Sequence, residues 1–231
     1  MLNGQTDQYF RMYRTALESA SKHHFFRAKT PGNQKLIFTG DLQMTDGNPS
    51  LRTDVQHLGC FVGGMVGLGA RINDSPSELE TAIQLTDSCV WAYQNTDTGI
   101  MPEIFSLQKC PDDGSSCDWT DEAATQAGSQ HGFTGIPDTS YQLRPEAIES
   151  VFVMYRITGD PIWQEKGWVM FQAIMNHTTT TLANACLRDV TNANNPEKID
   201  QMESFWLTET LKYFFLLFSE PDVVSLDEFV L

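Results

Sequence analysis

Hydrophobic residues recur along most of the chain at the three- and four-residue spacing of amphipathic helices. This spacing predicts helices over residues 7–22, 58–72, 77–94, 145–158, 161–180 and 202–219. Pro145 and Pro161 each open a helix at the first-turn position that proline prefers, and Pro221 follows a helix that it cannot continue. The repeated order of helix, short turn and helix predicts an all-α fold.

Local signals refine this picture. Ser77 is the predicted N-cap of its helix, with Glu80 completing a capping box. Glycines within 58–72 each weaken a helix by up to ~1 kcal/mol, so they favour the close approach of another helix or a ligand. Residues 36–38 predict a short extended run, and residues 95–143 predict a long irregular connection.

Periodicity alone leaves the architecture open. Stacked antiparallel helix pairs form α-solenoids, bundles or α/α toroids, and no sustained heptad repeat indicates a coiled coil. A chain of 231 residues is long enough for one large domain or two small ones.

Charge and hydropathy exclude two classes of partner. The formal net charge of −15 repels phosphate backbones, so we expect no nucleic-acid partner. No apolar run reaches the ~18–20 residues that cross a bilayer, so we expect no membrane span in this chain. The first residues also lack the basic and apolar regions of a signal peptide.

The cysteines and two sequons bear on disulfide bonding and glycosylation. An odd number of cysteines leaves at least one thiol without an internal partner. Cys110 and Cys117 bracket a loop and are well placed for a surface disulfide, whereas no Cys-x-x-Cys pair indicates zinc. Asn73 and Asn176 begin sequons that accept N-glycans in a secretory compartment.

Four segments together carry a resemblance to a known family. They are His57-Leu58-Gly59-Cys60-Phe61 with Gly63-Gly64-Met65, then Thr98-Gly99 with Pro102-Glu103, then Leu143-Arg144-Pro145-Glu146 with Glu149-Ser150 and Tyr155-Arg156-Ile157-Thr158-Gly159-Asp160, and finally Met202-Glu203-Ser204-Phe205 with Glu209-Thr210-Leu211-Lys212-Tyr213. In this order they resemble glycoside hydrolase family 47, the calcium-dependent α-1,2-mannosidases, and its fungal secretory members most. The resemblance implies an (α/α)7 barrel of paired helices with the site at its axis. Residues 1–231 then form about the C-terminal half of one catalytic domain, incomplete at both ends.

The resemblance also implies roles for particular residues. Glu146 matches the carboxylate that acts as general base on a water molecule, although an acid at a helix start is also favoured by the helix dipole. Arg144 and Phe205 match residues that position the sugar, by hydrogen bonds and by stacking. Glu103 and His57 match further residues that line the site. The competing interpretations are a surface ion pair for Arg144, a core aromatic for Phe205 and a hydrogen-bonded core histidine for His57.

Metal binding and disulfide pairing are likewise implied by the resemblance. Glu149 and Glu209 match carboxylates that hold calcium-bound waters, and Glu209 also faces the substrate; their alternative is an exposed helix face. Cys60 and Cys89 match a disulfide pair, which implies an oxidising lumen.

Two parts of the family pattern are expected to lie outside this sequence. The family's general acid and a second key carboxylate belong to the N-terminal half of the barrel, which we expect to precede Met1. The motif Asn-Thr-Glu-Ala-His-Pro, whose threonine binds calcium directly, is expected to follow Leu231. No direct calcium ligand is therefore assigned here, and we expect the chain alone to be inactive.

The implied function is the inverting hydrolysis of terminal α-1,2-linked mannose on the high-mannose N-glycans of glycoproteins. The implied location is the lumen of the endoplasmic reticulum or Golgi, membrane-anchored in the full protein, or outside the cell. Two alternatives stay open. A non-catalytic mannose-binding relative in glycoprotein quality control keeps the same sugar contacts, whereas a helical interaction module predicts that Glu146, Glu149 and Glu209 lie far apart.

Overall fold

The computed structural model describes residues 7–113, 115–120, 131–194 and 196–230. Within these ranges the helices are α1 Gln8–His23, α2 Phe61–Ile72, α3 Pro76–Gln94, α4 Glu146–Thr158, α5 Ile162–Thr178 and α6 Leu211–Leu217. Each lies within or close to a helix that the hydrophobic spacing predicts, so the helical fold is confirmed. No described helix has the length and apolarity that crossing a membrane requires.

Helix boundaries differ from the prediction at several points. The N-cap of α3 is Ser75 and not Ser77, because Pro76 takes the first helical position with its fixed φ. Pro145 and Pro161 are the N-caps of α4 and α5, one residue before the first turn. The last predicted helix begins late, since a π-helical turn over Trp206–Thr210 leads into α6.

Short strands connect the helices, and one of them, Phe38–Thr39, overlaps the extended run predicted at residues 36–38. They are β1 Phe25–Phe26, β2 Phe38–Thr39, β3 Asp41–Thr45, β4 Asn48–Arg52, β5 Asp54–Gln56, β6 Ile104–Ser106, β7 Gly135–Asp138, β8 Cys186–Leu187 and β9 Lys198–Ile199. Strands β3 and β4 form a hairpin across Asp46 and Gly47, whose φ angles of 51° and 80° suit a type I′ turn. An Asp-Gly pair between two short extended runs is a sequence signal for such a hairpin, and no hairpin was predicted here.

The predicted irregular connection over 95–143 is wrong in part, because it contains β6 and β7. These two strands pair antiparallel with each other, and β6 pairs with β5. The sheet matters for function, since β5 ends just before His57 and β6 begins just after Glu103. Residues far apart in sequence are thereby placed side by side.

The core forms where α2 packs against α3 and α4. The glycines of α2 allow this approach, as predicted. A Cβ at Gly63 would lie 2.4 Å from the Thr86 hydroxyl oxygen on α3, and a Cβ at Gly64 would lie 3.3 Å from the Ser150 Cα on α4. Any larger side chain at Gly63 therefore forces α2 and α3 apart.

Candidate active site

His57 lies at the centre of the candidate site, in a 3₁₀ turn over His57–Cys60 between β5 and α2. Its side chain is fully buried. The ring Nδ1 is 3.2 Å from Glu146 Oε2, and the ring Nε2 is 2.9 Å from the Tyr93 hydroxyl oxygen. The backbone N–H of His57 donates to the Glu103 carbonyl oxygen at 2.9 Å. His57 is thus a hydrogen-bonded, buried histidine that also contacts the predicted base.

Glu146 is the first residue of α4 and keeps 14% of its side chain exposed. Burial by itself raises the pKa of this carboxyl. The hydrogen bond and the charge of His57, helped by the charge of Arg144, lower the pKa by more, so the net pKa lies below the ordinary value. The start of the helix favours a negative charge in the same direction. Glu146 is therefore ionised at neutral pH and partly open to a ligand, as a general base must be.

Arg144 and Glu103 form a buried ion pair beside Glu146. Arg144 Nε donates to Glu103 Oε2 at 2.7 Å, and the backbone N–H of Gln142 donates to Glu103 Oε1 at 3.1 Å. Both carboxylate oxygens of Glu103 thus have protein donors, and the residue is only 6% exposed. Glu103 is placed to hold Arg144 in position, and Arg144 keeps further N–H groups for another acceptor.

The backbone before α4 is strained where it presents these residues. Leu143 is fully buried and adopts φ 59°, a left-handed conformation that costs a branched side chain of the order of ~1–3 kcal/mol. Its carbonyl oxygen accepts a hydrogen bond from the Thr210 hydroxyl at 2.7 Å. The π-helical turn therefore helps to hold the bend that immediately precedes Arg144 and Glu146.

Phe205 lies next to Arg144 and is partly exposed, which argues against a purely core role. The Arg144 guanidinium carbon is 5.8 Å from the centre of the Phe205 ring, within the range of a cation–π contact. An aromatic face beside an arginine and a carboxylate can pack against the C–H face of a sugar while its hydroxyls bind the charged groups.

Glu149 and Glu209 are brought together with Glu146. Burial raises the pKa of Glu149; the Tyr213 hydrogen bond lowers it, but the charges of Glu209 and Glu146 add to the increase. The Tyr213 hydroxyl donates to Glu149 Oε1. Glu209, in the π-helical turn, is partly exposed. Glu149 follows Glu146 by about one turn of α4, and Tyr213, four residues after Glu209, reaches Glu149 with its hydroxyl. This placement contradicts the wide separation that an interaction module predicts.

Glu149 and Glu209 are the residues predicted to hold calcium-bound waters. Among the residues that the structure describes, no group of three or more His, Cys, Asp and Glu side chains is arranged to hold a metal ion. The water-mediated role of these two carboxylates stays a prediction.

Two disulfides are present. Cys60 is bonded to Cys89, the pairing that the resemblance implies, and joins the 3₁₀ turn to α3. Cys110 is bonded to Cys117 across the loop where a disulfide was expected. Cys186 is free and buried, and burial raises the pKa of its thiol.

Three hydrogen-bonding residues of the site were missed by the sequence analysis. Tyr93, Tyr213 and Ser150 contact His57, Glu149 and the 3₁₀ turn respectively. Ser150 and Tyr213 lie inside the motif segments, so their position in those segments was an available signal. Tyr93 lies outside all of them, and nothing local distinguishes it from a core tyrosine.

Comparison with known proteins gives the context for this geometry. The family model described as Glycosyl hydrolase family 47 matches residues 1–231. The human endoplasmic reticulum mannosyl-oligosaccharide 1,2-alpha-mannosidase is 34% identical over 228 residues, which cover 98% of this chain and 30% of the human protein. The Candida albicans mannosyl-oligosaccharide 1,2-alpha-mannosidase is 31% identical over 251 residues, covering 99% of this chain and 41% of that protein.

A solved structure shows the same fold. The alpha-1,2-mannosidase from Trichoderma reesei superposes with a TM-score of 0.75 at 31% sequence identity. The match covers 89% of this chain and 40% of the Trichoderma chain. The chain thus spans less than half the length of each of these three relatives.

Proposed function

Since the chain belongs to glycosyl hydrolase family 47, we propose that the protein hydrolyses terminal α-1,2-linked mannose on high-mannose N-glycans, with inversion at the anomeric carbon. The observation that carries the proposal is the contact between buried His57 and Glu146 at 3.2 Å. This contact keeps a partly exposed carboxylate ionised beside an arginine and an aromatic ring.

Glu146 takes the part of the base in this proposal. It accepts a proton from a water molecule as that water attacks the anomeric carbon. Arg144, held by Glu103, donates to sugar hydroxyls, and Phe205 packs against the sugar ring. The general acid that protonates the leaving oxygen comes from sequence outside these residues, according to the family resemblance. We therefore propose that these 231 residues alone do not suffice for hydrolysis.

Calcium belongs to the proposal as the cofactor that the family implies. When bound, it supplies a cation that binds sugar hydroxyls and favours a distorted ring. Glu149 and Glu209 contribute by holding waters of its shell, and we assign no direct ligand among the described residues. Chelation of calcium is expected to abolish hydrolysis.

The proposed location is the lumen of the secretory pathway or the medium outside the cell. The Cys60–Cys89 disulfide supports this proposal, because disulfides persist in oxidising compartments. The human relative is an endoplasmic reticulum enzyme by name, which supports the same assignment.

The test uses the longest natural form of the protein that carries this chain, in the presence of calcium, with an α-1,2-linked mannose oligosaccharide. Proton NMR follows the anomer of mannose as it is released. We expect β-mannose first, and a decrease in kcat of about 10²- to 10⁴-fold for Glu146→Gln. Glu165→Gln is the matched control, because Glu165 also lies in a first helical turn but is exposed.

Each other outcome has a definite meaning. Full activity of Glu146→Gln would remove Glu146 from the role of base. Binding of the oligosaccharide without release of mannose, in the presence of calcium, would favour the mannose-binding alternative over the enzyme.

A further inference from the structure

We propose that Tyr93 is a positioning residue for Glu146 and that it acts through His57. The inference rests on the proposed function, since that function makes Glu146 the base. Tyr93 lies on α3, 1% exposed, and its hydroxyl oxygen is 2.9 Å from His57 Nε2. His57 is also fully buried. Water therefore cannot replace either partner when the hydrogen bond is broken.

The 3₁₀ turn that carries His57 is fixed to α3 at two points. Cys60, at the end of the turn, is bonded to Cys89, and His57, at its start, contacts Tyr93. Cys89 and Tyr93 are four residues apart, so they lie on the same face of α3. The disulfide thus holds the Tyr93 hydroxyl opposite the imidazole.

The same turn is fixed to α4 at two points. Glu146 contacts His57 Nδ1, and the Ser150 hydroxyl donates to the Cys60 carbonyl oxygen at 2.6 Å. Glu146 and Ser150 are also four residues apart and share one face of their helix. The imidazole is therefore held between two helices, with an oxygen atom at each ring nitrogen.

The chemistry of the two oxygens assigns the protons. An ionised Glu146 only accepts hydrogen bonds, so His57 Nδ1 carries a proton. The Tyr93 hydroxyl can donate to a bare Nε2 or accept from a protonated one. In either state it fixes the plane of the ring, and with it the direction of the Nδ1–H bond towards Glu146. Without the hydroxyl, the ring keeps only the Glu146 anchor.

Tyr13 offers a matched control. Its hydroxyl donates to Glu78 Oε2 at 2.9 Å, at the other end of α3. Tyr93→Phe and Tyr13→Phe therefore each remove one tyrosine hydroxyl and its hydrogen bond, but only the first removes an anchor of His57.

The experiment uses the longest natural form of the protein, labelled with ¹⁵N-histidine. The His57 Nδ1 proton is observed directly by NMR, is assigned by its absence in His57→Gln, and its exchange with water is measured. In Tyr93→Phe we expect exchange about tenfold faster, the equivalent of ~1.4 kcal/mol, with kcat reduced about tenfold at unchanged KM. Tyr13→Phe should match the unmodified protein in both measurements. Because phenylalanine keeps the ring, circular dichroism should show the same helix content in both variants.

The possible results separate this proposal from the proposed function. Unchanged exchange in Tyr93→Phe would refute the positioning role, whatever the activity. Faster exchange with unchanged kcat would refute the catalytic part of that role. If the unmodified protein releases no mannose, the proposed function fails, and the exchange measurement still decides whether Tyr93 holds His57 against Glu146.

Discussion

The ion pair between Glu103 and Arg144 should be energetically coupled, and a double-mutant cycle measures the coupling. The variants are Glu103→Gln, Arg144→Met and the two combined. In Glu103→Gln, an amide can still accept the Gln142 N–H, but its NH₂ group then faces Arg144 Nε, a donor opposite a donor. In Arg144→Met, the Glu103 carboxylate stays buried with one backbone donor.

The magnitude follows from burial. Removing one partner of a fully buried pair costs ~3–5 kcal/mol, and the charged hydrogen bond itself contributes ~1.5–3 kcal/mol. The side chains here are 7% exposed for Glu103 and 18% exposed for Arg144, so water compensates only the arginine. We expect losses of ~2 kcal/mol for Glu103→Gln and ~3 kcal/mol for Arg144→Met. The double variant should lose little more than the worse single one, a coupling of ~1.5–2 kcal/mol.

The assay is urea unfolding at neutral pH, followed by far-ultraviolet circular dichroism and analysed with a shared m-value. The coupling should persist in 1 M salt, since buried pairs are screened much less than exposed ones. The exposed pair Arg188–Glu197 is the control, and a cycle on it should give a coupling below ~1 kcal/mol. Additivity of the Glu103 and Arg144 variants within ~0.5 kcal/mol would refute the inference that Glu103 holds Arg144.

Three further outcomes are expected. Gly63→Ala should lower the free energy of unfolding, measured by urea titration, by ~1–3 kcal/mol, because the new Cβ meets Thr86 on α3. Gly135→Ala is the control, since its Cβ has only a 3.9 Å contact, and it should change the same free energy by under ~0.5 kcal/mol. Breaking the Cys60–Cys89 bond, which spans 29 residues, should lower the free energy of unfolding by ~3–4 kcal/mol. Cys89→Ala should therefore have a lower Tm than the unmodified protein, and a reducing agent should have no effect on this bond in the variant because the bond is already absent. Because the pKa of Glu149 is raised in the folded protein, its contribution to stability is present at low pH and is lost as pH rises through that pKa. Glu149→Gln should therefore stabilise the protein at pH 7 and not at pH 3. Equal stabilisation at both pH values would contradict this reasoning.

The helices could be predicted because their signal is local. An apolar stripe repeats every three or four residues whatever the helix packs against, and a proline marks a place where a helix begins or ends. The motif around Glu146 was equally local, since Arg144, Pro145 and Glu146 are adjacent in the chain. The predicted N-cap at Ser77 was wrong because Pro76 takes the first helical position, which makes Ser75 the N-cap and places Ser77 inside the helix.

The site's contacts could not be predicted in this way. His57 contacts Glu146, 89 residues away in the sequence, and Tyr93, 36 residues away. No local pattern in the sequence indicates contacts between residues so far apart. Strands β6 and β7 could not be predicted either, because they are too short to show an alternation of apolar and polar residues.

The sequence by itself thus determined the helices, the acidic charge and the family motifs, because each is a property of neighbouring residues. Only the tertiary structure decided that Glu103 forms an ion pair with Arg144 and that His57 links Tyr93 to Glu146. The physical reason is that a hydrogen bond between distant residues exists only where packed helices bring them within about 3 Å. That approach depends here on the glycines of α2, the strained Leu143 and the Cys60–Cys89 bond acting together.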